Sequence, residues 1–415
     1  MNATNRSVLP PRYSLPLLSA LFFGWGLITS LNDVLIPHLK AVFSLNYVQA
    51  MLVQFCFFGA YFLVSLPAGA LVRRWGYQRG MVIGLVVAAA GCVLFYPAAT
   101  LKTYSLFLTA LFVLAAGITL LQVSANPYVT LLGPEEDASR RLTLTQAFNS
   151  LGTTVAPLFG AALILTTADS AIAEAQAVRG PYLGLAAALL LIAGVLMSVR
   201  LPKVSQDGLV EHVGDAPPVW RYRHLVFGVI AIFVYVGAEV SIGSFLVSAM
   251  TSVDIAGLSS SDAGHMLALY WGGAMVGRFA GALAMKHINA ARLMAACAVA
   301  AVVLLALAIL SHGRITMWAL LAVGLCNAIM FPTIFSLALE RLGPRTEEGS
   351  GLLCMAIVGG ALVPLLQGAL ADSNGLQLSF IVPLACYLFI AYYGASGHRV
   401  VLFNTSHEAA YEAKP

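Results

Sequence analysis

Apolar runs of about 20 residues, the length needed to cross the hydrocarbon of a bilayer, recur along almost the whole chain. They fall at 15–38, 49–72, 80–98, 104–132, 143–166, 181–200, 225–250, 264–284, 291–311, 315–340, 350–371 and 378–398. Inside lipid every backbone N–H and C=O must be satisfied within the spanning segment, so runs of this length fold as helices. The sequence therefore predicts an all-α membrane protein with twelve transmembrane helices. Composition agrees, since 60% of the residues are hydrophobic and only 10% charged, with a mean hydropathy of +0.87, outside the range of a soluble globular chain. The six cysteines all fall inside apolar runs, without a CxxC or a His at metal-ligand spacing, and read as buried and reduced. No cofactor, metal or nucleic-acid partner is expected; the partners are the lipid bilayer and a small solute.

Arg6 and Arg12 precede the first run, which reads as a retained signal anchor because no small-residue cleavage site follows its apolar core. Starting with the N-terminus inside, alternate loops collect 17 Lys and Arg on the cytoplasmic side against 4 outside (Lys40, Lys102, Arg179 and Arg314), with Arg278 left within a span. By the positive-inside rule both termini are cytoplasmic. The sequons at Asn2, Asn5 and Asn404 then lie where they carry no glycan.

The longest polar break, 201–224, divides the chain into an N-terminal half at 1–200 and a C-terminal half at 225–415, each with six spans. AGAL at 68–71 precedes Arg73 and Arg74, and AGAL at 280–283 precedes Lys286, an offset of 212. Gly133-Pro134 and Gly343-Pro344 repeat at an offset of 210. The two matches indicate a duplicated six-span unit in parallel orientation. Gly152, Ala156 and Gly160, and likewise Gly273, Gly277 and Gly281, have the four-residue spacing of close helix packing. GGAMVG lacks the Lys-Ser/Thr of a phosphate loop, so nucleotide binding finds no support.

Of the acids, only Asp33 and Glu239 lie deep within spans, and of the bases only Arg278. An ionised Asp at the centre of a spanning helix costs roughly 2.5 to 3.5 kcal/mol on insertion scales, which marks an intramembrane acid as functional by default. Trp25, Thr29, Asn32 and Asp33 share one face of the first helix. Thr119, Gln122, Asn126 and Thr130 form a second stripe on span four, and Gln146, Asn149 and Thr153 a third on span five. Such amides can simply join helices, at about 0.6 kcal/mol per bond in a membrane. Three stripes from one half, one of them with an acid, instead favour a shared polar site. Carboxamides donate and accept, as an uncharged, hydroxyl-rich ligand requires, and Trp25 could stack on a sugar ring. Trp271 could stack in the same way but fits core packing better, and His38 and His265 read as interfacial. Glu239 fits a second proton site or a hydrogen-bonded structural acid, and Arg278 fits snorkelling or pairing with a helix end better than ligand contact.

Twelve spans in two parallel halves joined by a wide loop resemble the major facilitator superfamily. AGALVRRWGYQRG resembles its signature between spans two and three, without the Asp before Arg73 and Arg74 on which a gating pair usually depends. LFFGWGLITSLNDVLIPHLK, LLQVSANPYVTLLGPE, RRLTLTQAFNSLGTTVAP, GVIAIFVYVGAEVSIGSFL and CNAIMFPTIFSLAL resemble the fucose/galactose/glucose:proton symporter family. The resemblance implies that Asp33 is the proton-linked acid and that Gln146 and Asn149 contact sugar. Fucose-type members carry a Glu where this chain has Gln122, so the sequence leans toward the glucose/galactose or N-acetylglucosamine type. Candidate sugar contacts are Trp25, Asn32, Gln122, Asn126, Gln146 and Asn149, with Asn327 from the last motif; Asp33 and Glu239 are the candidate proton sites. The expected activity is import of a neutral monosaccharide with a proton by alternating access, in a bacterial inner membrane and by a monomer. The alternatives are sodium-coupled sugar uptake, an antiporter for a drug or metabolite, a channel and a membrane enzyme. The amide stripes disfavour the apolar-aromatic cavity of a drug antiporter, and no nucleophile–base pair or metal cluster within the membrane supports an enzyme.

Overall fold

The computed structural model describes residues 11–43, 47–101, 103–160, 179–202, 204 and 217–401. Its first six spans are α1 (Pro11–Phe43), α2 (Tyr47–Trp75), α3 (Tyr77–Leu101), α4 (Tyr104–Leu131), α5 (Ala138–Gly160) and α6 (Arg179–Ser198). The second set opens with α7 (Arg223–Thr251), α8 (Ser260–Ala284) and α9 (Ala290–Leu310). Span ten is α10 (Arg314–Asn327) followed by α11 (Met330–Ala338). Span eleven is α12 (Thr346–Met355) and α13 (Gly359–Asn374), and span twelve is α14 (Leu376–Ser379) and α15 (Ile381–Tyr392).

Nine of the described helical stretches are long and apolar enough to cross a membrane. The other three spans are α1, for which the side chains are described only from Tyr13 to Thr29, and α5 and α8. Side chains of α5 are described only as far as Ala156, and that stretch carries Arg140 and Arg141 together with Gln146, Asn149 and Ser150, while α8 carries Asp262, His265 and Arg278.

Helix neighbours repeat between the halves. α1 packs on α5, α2 and α3 on α4, and α3 on α6; then α7 packs on α13, α8 and α9 on α10, and α9 on α15. Adding six to each span number converts one set into the other, which is the fold expected of a parallel duplication. Glycines set the closest seams. A Cβ on Gly152 would run into the Phe23 carbonyl, and one on Gly359 into the Phe233 carbonyl, so α1–α5 and α7–α13 meet backbone to backbone. Phe23 and Phe233 are 210 residues apart, close to the sequence repeat. The α8 stripe also packs as its spacing predicts, with Gly277 against Leu325 and Ala328, and Gly281 against Ile329.

The halves differ in continuity. Among the described residues of the first half the spans stay helical through Pro67, Pro97 and Pro127. In the second half, span ten breaks at Ala328–Ile329, span eleven passes through a 3₁₀ turn at Ala356–Val358, and span twelve ends in a π-turn at Tyr393–Gly397. Hydropathy alone does not place these breaks, because their residues remain apolar. Pro332 accounts for the first break, because it has no N–H for the carbonyl of Ala328 four residues earlier.

One end of the molecule is closed across the two halves. Ser139 and Ser336 share a hydrogen bond of 2.6 Å, and Ser350 Oγ donates to Val123 O at 3.0 Å. Gly351 lies against Ser65, and Gly69 against Glu347. All these contacts lie toward the end that carries the α2–α3 and α4–α5 turns. The second turn is held by Arg141, whose guanidinium donates to Thr130 O (2.6 Å), Pro134 O (2.7 Å) and Val129 O (3.2 Å) and so pins the end of α4 to the turn that follows it.

Candidate functional site

The polar stripes of the first half converge on the α1–α5 and α2–α4 seams. Asn149 Nδ2 donates to Phe22 O at 3.0 Å, which ties α5 to α1 beside Gly26. The Gln146 amide, one helical turn away, makes no hydrogen bond to a described residue. Gln122 Nε2 donates to Tyr61 Oη at 2.6 Å, while its Oε1 is buried without a partner among the described residues. Asn126 is 0% exposed, with both amide atoms in that same condition. The hydroxyls of Thr29, Thr119, Thr130 and Thr153 instead bond to carbonyls within their own helices. They are locally satisfied, so the amides are the groups left to act. Trp25 is buried with its ring 5.1 Å from that of Phe22. Asn32 and Asp33 fall on the helical run of α1, and their side chains lie outside the described residues, as does that of His38.

The second half supplies a hydrogen-bonded cluster. Tyr235 Oη donates to Glu239 Oε1 at 2.8 Å and also lies 3.1 Å from Asn327 O. Asn327 Nδ2 donates to Tyr270 Oη (2.7 Å), and Tyr387 Oη donates to Asn327 Oδ1 (2.5 Å). Asn327 is 0% exposed with both ends of its amide engaged, so in this conformation it bridges helices and offers no free surface.

Arg278 links this cluster to the first half. Its Nη1 donates to Ser150 Oγ on α5, its Nε donates to Ala328 O at 3.1 Å, and its Nη2 stands 3.9 Å from Glu239 Oε1. Of the readings open from sequence, pairing with a helix end is the one realised, because Ala328 O is the carbonyl freed by Pro332. The bond across to Ser150 was not legible. Trp271 departs from the core position read from sequence: it is 43% exposed, edge-on to Tyr270, with its indole over Gly243. A residue without a side chain on α7 leaves a shelf there that the ring covers.

Tyr61, Tyr235, Tyr270, Tyr387 and Ser150 were missed as site residues, since single tyrosines in apolar runs read as core. The duplication held a signal. Tyr61 and Tyr270 are 209 residues apart, Gln122 and Asn327 are 205 apart, and each half makes the same amide-to-tyrosine bond. A cavity of about 740 Å³ lies elsewhere, lined by Tyr77, Gln78, Arg79, Tyr128 and Arg200 among others, and touches none of these groups.

A family model described as the Major Facilitator Superfamily matches residues 17–353. The chain belongs to that superfamily. Within it, this chain is 59% identical over 389 residues to the "Glucose/galactose transporter" of Brucella abortus biovar 1 (strain 9-941), covering 93% of this chain and 94% of that one. It is 33% identical over 400 residues to the "L-fucose-proton symporter" of Escherichia coli (strain K12), covering 90% of each. The solved Major Facilitator Superfamily transporter FucP, in the outward conformation, matches with a TM-score of 0.86 at 32% identity, covering 92% of this chain and 98% of that chain. Membership makes the chain a membrane-embedded transporter.

Proposed function

We propose that this protein carries a neutral monosaccharide into the cell together with a proton, by alternating access, with glucose or galactose the first substrates to test. The observation that carries the reading is a half whose buried face offers amides with unused hydrogen-bonding capacity, in a chain 59% identical to a protein named a glucose/galactose transporter. Gln146, Asn149, Gln122 and Asn126 hold the sugar hydroxyls, Trp25 and Asn32 flank them, and Asp33 carries the proton. Glu239 serves the second half as a further acid beside Tyr235, and Asn327 positions that cluster. Residues 1–200 and 225–415 move as two bodies joined by a cytoplasmic linker, 201–224. Both termini are cytoplasmic, so the closed end faces the cytoplasm and the site opens outward. The protein works as a monomer in a bacterial inner membrane.

Protonation of Asp33 from outside removes the charge that opposes burial, so the loaded site can occlude, whereas the bare anion resists desolvation. The test is the pH of a lightly buffered, energy-depleted suspension of expressing cells after pulses of glucose, galactose, fucose and N-acetylglucosamine. Alkalinisation with one sugar is expected. No pH change with any of them, despite verified expression, would remove proton symport and leave sodium coupling or facilitated diffusion.

Gln146→Ala is expected to raise the half-saturation for sugar countertransport about 10-fold, equivalent to a hydrogen bond of ~1.4 kcal/mol. Asn149→Ala should weaken binding at least as much, because it also unties α5 from Phe22 O. Unchanged half-saturation in both variants would take span five out of the sugar site.

A further inference from the structure

Closing the cytoplasmic end leaves Arg278 bonded across the two halves, and opening that end must break the bond. The cross-half contacts of Ser139 with Ser336, Ser350 with Val123 O, Thr143 with Met285 Sδ and Thr154 with Met275 Sδ leave neutral groups when they part. Arg278 is different, since it leaves a cation inside the membrane, where a guanidinium without an acceptor is costly. Two features of the site restrict what happens next. Nε is fixed to Ala328 O, a carbonyl that Pro332 frees within the same half, so the guanidinium stays tethered when Ser150 departs. Nη2 already faces Glu239 Oε1 at 3.9 Å, inside ion-pair range and outside hydrogen-bond range, and the two side chains are only 15% and 14% exposed. Glu239 is itself held in place by Tyr235 Oη at 2.8 Å.

We propose that Arg278 is a positioning residue that changes partners during the transport cycle, bonding to Ser150 while the cytoplasmic side is closed and to Glu239 once it opens. Ser150 and Glu239 are thus competing acceptors on opposite halves, and the guanidinium is the element whose choice follows the gate. The sister contact, Ser350 on Val123 O, caps the carbonyl that Pro127 frees four residues earlier in α4. Each half therefore presents a proline-freed carbonyl at the gate, but only the second half places a charge there. This inference rests on the alternating-access reading above and not on the identity of the sugar.

The gate can be read without any sugar. A Ser139→Cys/Ser336→Cys chain places two thiols at the 2.6 Å contact, and oxidation in membranes should join the halves in high yield. Ser150→Ala and Arg278→Gln, each added to that pair, are expected to lower the yield several-fold, and Arg278→Lys to restore part of it. Glu239→Gln, which weakens the competing acceptor, should hold the yield level or raise the residual cross-linking of Ser150→Ala. An unchanged yield in both Ser150→Ala and Arg278→Gln would overturn the proposal. So would a parent pair that fails to cross-link although each single cysteine is reactive in denaturant, or a Glu239→Gln chain that cross-links less than its parent. Ser150→Ala removes one oxygen, which also donates to Gln146 O, and a thermal midpoint in detergent equal to that of the parent separates loss of the Arg278 bond from misfolding. Failure of the sugar-pulse experiment with normal cross-linking results would remove the substrate reading and leave this one standing.

Discussion

Asp33→Asn is expected to abolish uphill accumulation of sugar while exchange of internal for external sugar continues. The amide keeps the shape and much of the hydrogen-bonding capacity of a protonated carboxyl but cannot release a proton inside the cell. One proton moving through about 100 mV supplies roughly 2.3 kcal/mol, enough for about fifty-fold accumulation, and the whole of that gradient should disappear. The measurement is the steady-state ratio of internal to external labelled sugar, taken beside counterflow in the same vesicles. Sustained accumulation by Asp33→Asn would move the coupling to another acid, with Glu239 the next to test.

Gly152→Ala should be among the most damaging single methyls in the first half, on the same seam as Gly26. A Cβ there meets the Phe23 carbonyl and lies 2.8 Å from Leu27 N, so the obstruction is backbone and cannot rotate aside. Overpacking generally costs about 1–3 kcal/mol, and a rigid obstacle puts this position at the upper end or beyond. The helices must separate, which displaces Trp25 and the Asn149–Phe22 bond on the same seam. A thermal midpoint lowered by several degrees in detergent, with weaker sugar binding than in Gln146→Ala, is the expected pair of results. Gly184→Ala is the control, since nothing stands within 4 Å of its added methyl. Equal midpoints for the two variants would mean that the α1–α5 seam yields more easily than its geometry allows.

The spans, the duplication and the polar stripes were legible because each rests on periodicity. Hydropathy repeats with span length, AGAL and Gly-Pro repeat with the halves, and Gln122–Asn126 and Gln146–Asn149 repeat with the helix turn. What escaped depends on contacts between residues far apart in sequence. Arg278 and Ser150 are 128 residues apart, and no local pattern joins them. Asn327 looked like a free amide of the same kind as Asn149, yet Tyr270 and Tyr387, from spans eight and twelve, occupy both its ends. The prolines carried more than was read from them. Pro127 and Pro332 announce unpaired carbonyls at Val123 and Ala328, although which side chains take them up is a tertiary question. Trp271 went to the wrong place because a tryptophan in an apolar run is ordinarily buried, and Gly243 on the neighbouring helix was the missing fact.

The unequal continuity of the two halves has a mechanical consequence. In the described residues of the first half, spans two, three and four run unbroken past their prolines, whereas spans ten, eleven and twelve each contain an irregular turn at which backbone dihedrals can adjust without unwinding a whole helix. Torque applied at the gate will therefore be absorbed unevenly. On the alternating-access reading, the described part of the first half would serve as the stiffer body and the second as the jointed one, with joints at Ala328–Ile329, Ala356–Val358 and Tyr393–Gly397. If the proposed sugar site lies on the first half, recognition falls to the unbroken partner and compliance to the jointed one, and selectivity for the solute need not change as the machine turns.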